Sequence, residues 1–506
     1  MTVDVTVIGS GVAGLTAAVA AATVGATVRV LESESTIGGT TALSGGQGWF
    51  PANRWIVAEG DEADPPEAAR RYLDALGLGD TEPELLDVFV ADADRCAAFV
   101  ADATPVGWHT MPYPDYHSER PGGRAGGRTL EPDPLLVAGE IAARVRPAPN
   151  VSAPITYREL VTGTIDREAV AERLRTGTLT MGRALVAGLL AAAVDHGVEV
   201  LTGRRVTDRP EGRVILATGG FGRDPKLVAS FLGGPMLAPT GAPGARGDGL
   251  RMALAAGAAL GNMSQAWWCP ALRIPGETID GEPLYRLVLT ERARPGCLIV
   301  DGDGRRFANE AQNYNDFGRA LHAFSPERFG YPRIPSWLVF DHGYRSRYGF
   351  GPRRPSDDDP SWFHRADTVE ELGKAIDVDP VRLAATVDEF NDFAAAGHDA
   401  DFGRGSYAYD RFVGDPKAPH PTLGAVGEPP FYAVEILPGC LGTKGGPRTD
   451  ADGRVLRADG NGVVPDLYAA GNAAASPFGL AYPGPGGTIG PAVVFGVRSG
   501  EAAATD

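Results

Sequence analysis

The stretch that most constrains the fold is the beginning of the chain, where residues 4–32 read DVTVIGSGVAGLTAAVAAATVGATVRVLE. The apolar run at residues 5–8 predicts a short buried strand, and the alanine-rich run at residues 15–24 predicts a helix. A second apolar run at residues 28–31 predicts another strand. A strand, a tight turn, a helix and a second strand within thirty residues are typical of a parallel α/β unit.

Three glycines stand between the first strand and the helix with the spacing G-x-G-x-x-G. Gly9 permits the tight turn, Gly11 lets the backbone approach a pyrophosphate, and Gly14 lets the helix pack closely on the strand. Glu32 ends the second strand, where an acid accepts hydrogen bonds from ribose hydroxyls. The sequence therefore predicts a dinucleotide site that includes Gly9, Gly11, Val12, Ala13, Gly14 and Glu32.

A second glycine-rich stretch follows at once, and residues 33–50 read SESTIGGTTALSGGQGWF. Its amides and hydroxyls suit a dinucleotide that continues past the ribose. The stretch resembles the flavoproteins with two dinucleotide-binding motifs, whose pattern Gly38-Gly39-Thr40-Thr41 matches. The cofactor contacts predicted here are Ser33, Gly39, Thr40, Thr41, Ser44, Gly45 and Gly46.

Two later segments match the same flavoprotein pattern. Residues 213–225 read RVILATGGFGRDP, and residues 466–472 read DLYAAGN. The resemblance adds Ala217, Thr218, Gly219, Gly471 and Asn472 to the predicted contacts. Three separated segments agree on FAD as the cofactor. We expect non-covalent binding, because residues 40–48 contain no histidine that would attach the flavin.

Composition excludes several classes of protein. A formal net charge of −17 opposes binding to nucleic acid phosphates. The four cysteines form no C-x-x-C pair, so we expect no metal site and no disulfide framework. No apolar run is long enough to span a membrane, and the start of the chain does not resemble a signal peptide. We therefore expect a cytoplasmic enzyme.

The order of motifs predicts an α/β fold with a discontinuous domain. A Rossmann-like FAD-binding domain is expected over residues 1–270 and 444–506, and an inserted α+β catalytic domain over residues 271–443. A helix is expected within the inserted domain, with Asp379 as its N-cap and Pro380 at its first position.

Several stretches across the chain resemble one family. They are residues 114–124 (PDYHSERPGGR), 264–270 (SQAWWCP), 305–320 (RRFANEAQNYNDFGRA), 441–460 (LGTKGGPRTDADGRVLRADG) and 482–492 (YPGPGGTIGPA). The chain resembles the fumarate reductase/succinate dehydrogenase flavoproteins, and within them the 3-ketosteroid Δ1-dehydrogenase branch. SQAWWCP replaces the histidine stretch that binds dicarboxylates, so the site suits a neutral ring, and Trp268 is a candidate lining residue.

The resemblance implies a chemistry and four catalytic residues. Tyr482 and the amide of Gly486 polarise a ring ketone. Tyr314, supported by Tyr116, takes the proton from the α-carbon, and flavin N5 takes hydride from the β-carbon. Tyr113 is the alternative to Tyr116. Residues 482–487 form a glycine–proline loop before the final helix, which begins near Thr488 and Ile489. The first amides of this helix are expected to face the flavin.

Other interpretations stay open at this level. The substrate is a 3-ketosteroid or a smaller ring ketone, such as cyclohexanone or 4-oxocyclohexanecarboxylate. The enzyme could instead reduce an enone, or the chain could be a flavin-binding redox sensor. Arg292 and Arg294 stand where dicarboxylate enzymes hold a catalytic arginine, so either is a candidate for a substrate carboxylate. The electron acceptor and the oligomeric state cannot be deduced from the sequence.

Overall fold

The computed structural model describes residues 3–506. Its helices are α1 (Val12–Thr23), α2 (Trp55–Ala58), α3 (Pro66–Leu76), α4 (Pro83–Ala103), α5 (Gly139–Arg144), α6 (Tyr157–Thr162), α7 (Arg167–Thr176), α8 (Met181–Asp195), α9 (Pro225–Phe231), α10 (Asp248–Ala255), α11 (Tyr314–Leu321), α12 (His342–Arg347), α13 (Val369–Ala375), α14 (Pro380–Ala396), α15 (Ala408–Val413) and α16 (Ile489–Thr505).

The strands are β1 (Val5–Ile8), β2 (Val28–Leu31), β3 (Gly48–Trp49), β4 (Trp108–Thr110), β5 (Thr129–Pro132), β6 (Glu199–Leu201), β7 (Arg213–Leu216), β8 (Ala238–Pro239), β9 (Leu260–Gly261), β10 (Ala266–Ile279), β11 (Glu282–Leu287), β12 (Cys297–Asp301), β13 (Ser336–Asp341), β14 (His364–Ala366), β15 (Phe431–Thr443), β16 (Gly446–Pro447), β17 (Arg454–Leu456) and β18 (Val463–Ala469).

Two compact units divide the chain. Unit 1 contains Met1–Leu232, Gly241–Ala266 and Gly442–Asp506, and unit 2 contains Gly233–Thr240 and Trp267–Leu441. The sequence had placed the segment Gly233–Thr240 in the first domain. It joins unit 2 because β8 pairs in parallel with β15, Ala238 opposite Gly439. Residues 267–270 also belong to unit 2, since they continue β10.

A six-stranded sheet with the order β17-β18-β7-β1-β2-β6 forms the centre of unit 1. Strands β18, β7, β1, β2 and β6 run parallel, and β17 pairs antiparallel at the edge. All four residues of β1 are buried, as in a sheet that helices cover on both faces. The predicted Rossmann-like class is confirmed. Both predicted strands have the expected bounds, whereas α1 begins three residues earlier than expected, inside the glycine turn.

Helices α1 and α16 pack closely beside this sheet. A Cβ atom at Gly496 of α16 would lie 2.9 Å from the carbonyl oxygen of Ala13, and one at Gly500 would collide with that of Ala17. The small residues on both helices therefore let the two backbones touch. A separate antiparallel sheet of unit 1, with the order β3-β5-β4, carries Trp49.

Unit 2 is built on a sheet with the strand order β11-β10-β15-β13-β12, in which β10 and β11, β15 and β13, and β13 and β12 pair antiparallel. Side chains of β12 alternate between two apolar clusters, because successive residues of a strand point to opposite faces. Ile299 belongs to one cluster with Leu338 and Phe340, whereas Leu298 belongs to the other, which also contains Phe390 of α14. Unit 2 therefore has a helix packed on one face of a largely antiparallel sheet.

The predicted start of α14 is confirmed. The side chain of Asp379 accepts from the amides of Val381 and Arg382, at 2.9 and 3.1 Å, and Pro380 occupies the first helical position. Within residues 3–506, no helix combines the length and the apolar character needed to cross a bilayer. None of the four cysteines, all of which lie in the described part of the chain, forms a disulfide, and all four are buried.

Candidate active site

The glycine turn after β1 lies against the end of β7. Gly9 has a φ of +108°, and a Cβ atom there would collide with the carbonyl of Ala217. A Cβ atom at Gly14 would collide in turn with the carbonyl of Gly9. These two positions require glycine because backbone meets backbone. The glycine turn at residues 9–14 and the predicted FAD segment at the end of β7 therefore meet at the carboxyl edge of the sheet, where α/β proteins bind ligands.

Open space remains beside the N-terminus of α1. A Cβ atom at Gly11 would meet only the Thr41 hydroxyl, at 3.7 Å, and one at Gly39 would have no described atom within 4 Å. The amides at a helix N-terminus carry partial positive charge and favour an anion. A backbone that approaches this space without side chains fits the pyrophosphate of FAD.

Glu32 fixes the turn from the end of β2. One carboxylate oxygen accepts from the amide and hydroxyl of Ser10, at 3.0 and 2.5 Å, and the other accepts from Ser33 Oγ and the amide of Glu34. Ser10, which the sequence did not single out, also accepts from the amide of Gly38 at 3.0 Å. A carboxylate offers about four acceptor sites. The four protein donors already occupy the acceptor sites of Glu32, so a ribose hydroxyl would have to share one of these sites with a protein donor.

The predicted threonines also organise the backbone of this region. Thr41 Oγ1 accepts from the amide of Val12 at 3.1 Å, and Thr40 Oγ1 accepts from the amide of Ala242 at 3.0 Å. The Ser44 hydroxyl donates to the carbonyl of Thr41 at 2.8 Å. The bond of Thr41 ties the second glycine-rich stretch to α1, and that of Thr40 ties it to the segment at Ala242. The contacts of these three residues with the cofactor stay predictions.

The predicted FAD segment at residues 466–472, which includes the end of β18, reaches helix α1. A Cβ atom at Gly471 would lie 2.9 Å from that of Ala13 in α1 and 3.5 Å from that of Ala492 in α16. The segment, α1 and α16 therefore meet at one point. The other predicted contacts flank these elements. Gly46 lies against Met181 at the start of α8, Gly45 lies beside Gln47 and Tyr157, Thr218 and Gly219 follow β7, Asn472 lies in a 3-10 turn, and Thr488 and Ile489 lie at the start of α16.

Backbone carbonyls hold the glycine–proline loop that precedes α16. The carbonyl of Pro483 accepts from the amide of Tyr116 at 3.0 Å and from the hydroxyl of Tyr72 at 2.6 Å. The carbonyl of Pro485 accepts from Thr129 Oγ1 at 2.8 Å, and that of Gly486 accepts from the amide of Trp49 at 3.0 Å. The loop is therefore fixed along its length.

Gly486 could not be another residue without moving the loop. Its φ is +88°, and a Cβ atom would lie 2.6 Å from the carbonyl carbon of Gly48 and from the nitrogen of Trp49. A Cβ atom at the next residue, Gly487, would lie 2.8 Å from the ring of Tyr482. The glycines thus let the loop lie against β3 on one side and fold over the phenol on the other.

The structure brings Tyr482 and Tyr116 together. Their ring centroids lie 5.1 Å apart at an interplanar angle of 71°, an edge-to-face contact. Both side chains are buried. Tyr113, the alternative to Tyr116, stacks on Tyr157 with centroids 6.1 Å apart. The contact with Tyr482 favours Tyr116 as the second tyrosine of the site.

A cluster of buried polar side chains lies against the glycine–proline loop, and the sequence did not predict it. The hydroxyl of Tyr72 accepts from the amide of His117 at 3.1 Å and donates to the carbonyl of Pro483. Burial raises the pKa of Tyr72 well above its usual value, so it remains a neutral donor. Arg128 is bidentate to Asp64, at 2.7 and 2.8 Å, and its guanidinium lies 5.6 Å from the ring centre of Tyr72.

Asp115 connects this cluster to the residue beside it, Tyr116. Its carboxylate accepts from Trp49 Nε1 at 2.8 Å, from the amide of Arg124 at 2.9 Å and from Arg128 Nη1 at 2.8 Å. Burial raises the pKa of Asp115 to about 6, although Arg128 opposes the shift. The only sequence signal was its position next to Tyr116, because its partners come from distant segments.

Tyr314 begins α11 of unit 2 and is buried. The side chain of the N-cap, Asn313, accepts from the amide of Asp316 at 3.0 Å and fixes the start of the helix. Further along, Gly318 lets α11 pack directly on β10, because a Cβ atom there would lie 2.5 Å from the nitrogen of Cys269. The neighbouring strand residue, Trp268, contacts His322 with ring centres 4.2 Å apart and an interplanar angle of 43°.

The two candidate arginines have structural partners within unit 2. Arg292 is fully buried, and its guanidinium donates to the carbonyls of Val288 and Glu310 and lies over the ring of Phe317. The guanidinium of Arg294 lies 4.9 Å from the ring centre of Tyr348. These contacts give both residues a packing role, and they weaken Arg292 in particular as a ligand for a substrate carboxylate.

Comparison of the chain with known proteins identifies its family. The family model described as "FAD binding domain" matches residues 4–489. The chain belongs to this family. It is therefore an FAD-dependent enzyme, and FAD is its cofactor.

Several relatives of the chain are dehydrogenases. The chain is 39% identical, over 99% of its length and 92% of the relative, to 4-oxocyclohexanecarboxylate 2-dehydrogenase of Sinomonas cyclohexanicum. It is 38% identical, over 97% of its length and 96% of the relative, to 3-oxosteroid 1-dehydrogenase of Mycobacterium tuberculosis. The crystal structure of 3-ketosteroid delta1-dehydrogenase from Sterolibacterium denitrificans, in complex with 1,4-androstadiene-3,17-dione, superimposes with a TM-score of 0.91, at 31% identity and 99% coverage of both chains. The resemblance to this branch is confirmed, and the chain is an FAD-dependent dehydrogenase.

Proposed function

We propose that the enzyme removes two hydrogens from the 1,2 position of a 3-ketosteroid and leaves a double bond beside the ketone. The observation that carries this proposal is the fixed loop on which Tyr482 and Gly486 stand four residues apart. Relatives named 3-oxosteroid 1-dehydrogenase, and the similar structure in complex with a steroid dienone, support a steroid substrate.

We assign to Tyr482 and the amide of Gly486 the task of binding the ketone oxygen. Negative charge grows on this oxygen when the α-proton leaves, and preorganised donors stabilise that charge most effectively in a site that excludes water. Tyr482 is only 3% exposed. The carbonyl contacts of the loop hold both donors in place before the substrate arrives, so little reorganisation is needed during the reaction.

We assign to Tyr314 the task of accepting the α-proton, with Tyr116 in support. A free tyrosine has a pKa of about 10, so its phenolate needs stabilisation. Tyr314 stands at the first position of α11, where the helix dipole favours negative charge. Bound FAD supplies the acceptor for the hydride of the β-carbon. The electron pair of the broken α C–H bond forms the new double bond.

Anaerobic mixing tests the proposal. FAD-loaded enzyme mixed with 4-androstene-3,17-dione should lose the visible absorbance of oxidised flavin and yield 1,4-androstadiene-3,17-dione without any added reductant. An enone reductase would leave the flavin oxidised under the same conditions, and so would a flavin-binding protein without catalytic activity. Either result would overturn the proposal.

A smaller ring ketone is the second candidate. It is favoured by the 39% identity to 4-oxocyclohexanecarboxylate 2-dehydrogenase, a value that matches the identity to the steroid enzyme. The same four residues would perform the chemistry. Comparing kcat/KM for 4-androstene-3,17-dione, cyclohexanone and 4-oxocyclohexanecarboxylate separates the two substrate classes. A higher value for either monocyclic ketone would replace the steroid assignment and leave the reaction type unchanged.

A further inference from the structure

Lys444 is a buried cation that the proposed mechanism does not use. It lies in unit 1 between β15 and β16, and its side chain is fully buried. Its Nζ atom donates to three consecutive carbonyls, those of Gly479 at 3.1 Å, Leu480 at 2.8 Å and Ala481 at 2.7 Å. An ammonium group has three N–H donors, enough to serve all three carbonyls.

The three carbonyls belong to the residues directly before Tyr482. Their oxygens converge on one point, and their dipoles would repel one another there without a positive charge between them. The opposite side of this segment is also held, because the amide of Leu480 donates to Asp80 Oδ2 at 2.5 Å. A lysine on the carbonyl side and an aspartate on the amide side therefore fix the path of the chain into Tyr482.

The backbone of Lys444 is anchored as well. Its amide donates to the carbonyl of Gln265 at 2.9 Å, and its carbonyl accepts from the amide of Ser476 at 2.9 Å. Both partners lie in unit 1. The ammonium is thus presented from a fixed base, so it can position a loop rather than follow it.

The use of lysine at this position is unusual for this sequence. Only four of its 47 Lys and Arg residues are lysines, and the other three, Lys226, Lys374 and Lys417, are exposed. An arginine presents its donors as a planar fork that matches two parallel acceptors, whereas an ammonium is a compact charge that suits acceptors converging on one point. The three converging carbonyls explain why arginine does not serve here.

We propose that Lys444 is a positioning residue for the ketone-binding pair, Tyr482 and Gly486. The proposal rests on the function assigned above. By holding three carbonyls on one charge, Lys444 sets the position of the Tyr482 phenol and contributes to catalysis through it. A displacement of about 1 Å at a reacting group lowers a rate about 100-fold, so the effect on kcat should be large.

Lys444→Met tests the proposal, because it removes the charge and keeps a chain of similar length. Lys226→Met, at an exposed lysine of unit 1, is the matched control. The variant should bind FAD, and its kcat per bound FAD should fall about 10- to 100-fold while KM changes less, because the lost interaction acts in the transition state. The control should keep the wild-type kcat. A merely structural lysine would lower the melting temperature and leave kcat per bound FAD unchanged.

A double-mutant cycle identifies the residue through which Lys444 acts. If it acts through Tyr482, Lys444→Met should have little further effect on kcat in a Tyr482→Phe background. Additive effects would overturn the proposal. If Lys444→Met does not fold, Lys444→Gln replaces it in the cycle, since its amide still donates to two of the carbonyls. An inactive wild type would refute the proposed function, whereas an active wild type with an equally active Lys444 variant would refute only this inference.

Discussion

Gly486→Ala is the sharpest test of the loop geometry. The added Cβ atom would lie 2.6 Å from the carbonyl carbon of Gly48 and from the nitrogen of Trp49. Ordinary contacts between carbon atoms are about 3.5–4.0 Å long, so the loop must retreat from β3 by about 1 Å. The amide of Gly486 would move with it, away from the position in which we propose that it donates to the ketone oxygen.

A shift of about 1 Å lowers a rate about 100-fold, which corresponds to about 2.7 kcal/mol in activation free energy. We therefore expect Gly486→Ala to keep FAD and to lose about 100-fold in kcat. The assays are steady-state kcat per bound FAD and anaerobic single turnover, which follows the loss of oxidised-flavin absorbance. The melting temperature, measured on the same sample, reports any loss of folding.

Gly460→Ala is the matched control. Gly460 also has a positive φ, +75°, but a Cβ atom there would have no described atom within 4 Å. Both variants place alanine in the left-handed region, which costs about 1–2 kcal/mol of stability. Only Gly486→Ala adds the collision with β3. An unchanged kcat in Gly486→Ala would refute the assignment of this amide to the ketone oxygen.

Three further predictions concern single residues. Tyr314→Phe should keep FAD and lose dehydrogenation of ring ketones, because the proton acceptor is gone; steady-state assays of FAD-loaded enzyme measure this, and full activity would remove Tyr314 from the mechanism. Burial raises the pKa of Asp115 to about 6, so the stabilising contribution of the protonated carboxyl is present below pH 4 and is lost as the pH rises to 6. Relative to Asp115→Asn, the wild type should therefore lose about 3 kcal/mol of stability over this range, measured as a change in melting temperature. A difference in melting temperature between the two proteins that stays constant with pH would contradict the raised pKa. Glu310 is fully buried, and the charges of Arg306 and Arg404 lower its pKa although burial opposes this. Glu310→Gln should lower the stability of unit 2 by about 3–5 kcal/mol, because buried Arg404 loses its carboxylate partner and Arg306 keeps only Asp399, and an unchanged unfolding midpoint in urea would contradict this.

Local patterns in the sequence determined much of the fold. The strand at residues 5–8, the turn at Gly9 and the strand at residues 28–31 were predictable, because apolar runs and glycine spacing act over a few residues. Helix α1 starts earlier than predicted, at Val12, because its first turn lies inside the glycine motif. The placement of the segment Gly233–Thr240 could not be predicted, since it depends on pairing with a strand two hundred residues away.

The candidate site shows the same limit. Tyr482, Gly486 and Tyr116 could be selected because they stand in short motifs that resemble a family. Tyr72 and Lys444 could not, because their roles arise from contacts across long stretches of chain. The hydroxyl of Tyr72 meets the carbonyl of Pro483, 411 residues later in the sequence. No periodicity or spacing within one segment encodes such a contact.

In the proposed function, Tyr482 polarises the ketone of a steroid that the FAD-loaded enzyme desaturates. The most direct test is anaerobic single turnover of wild type and Tyr482→Phe with 4-androstene-3,17-dione, on samples matched for bound FAD. The wild type should lose its oxidised-flavin absorbance and form 1,4-androstadiene-3,17-dione, and Tyr482→Phe should do so at least about 100-fold more slowly. Equal rates in the two proteins would contradict the account.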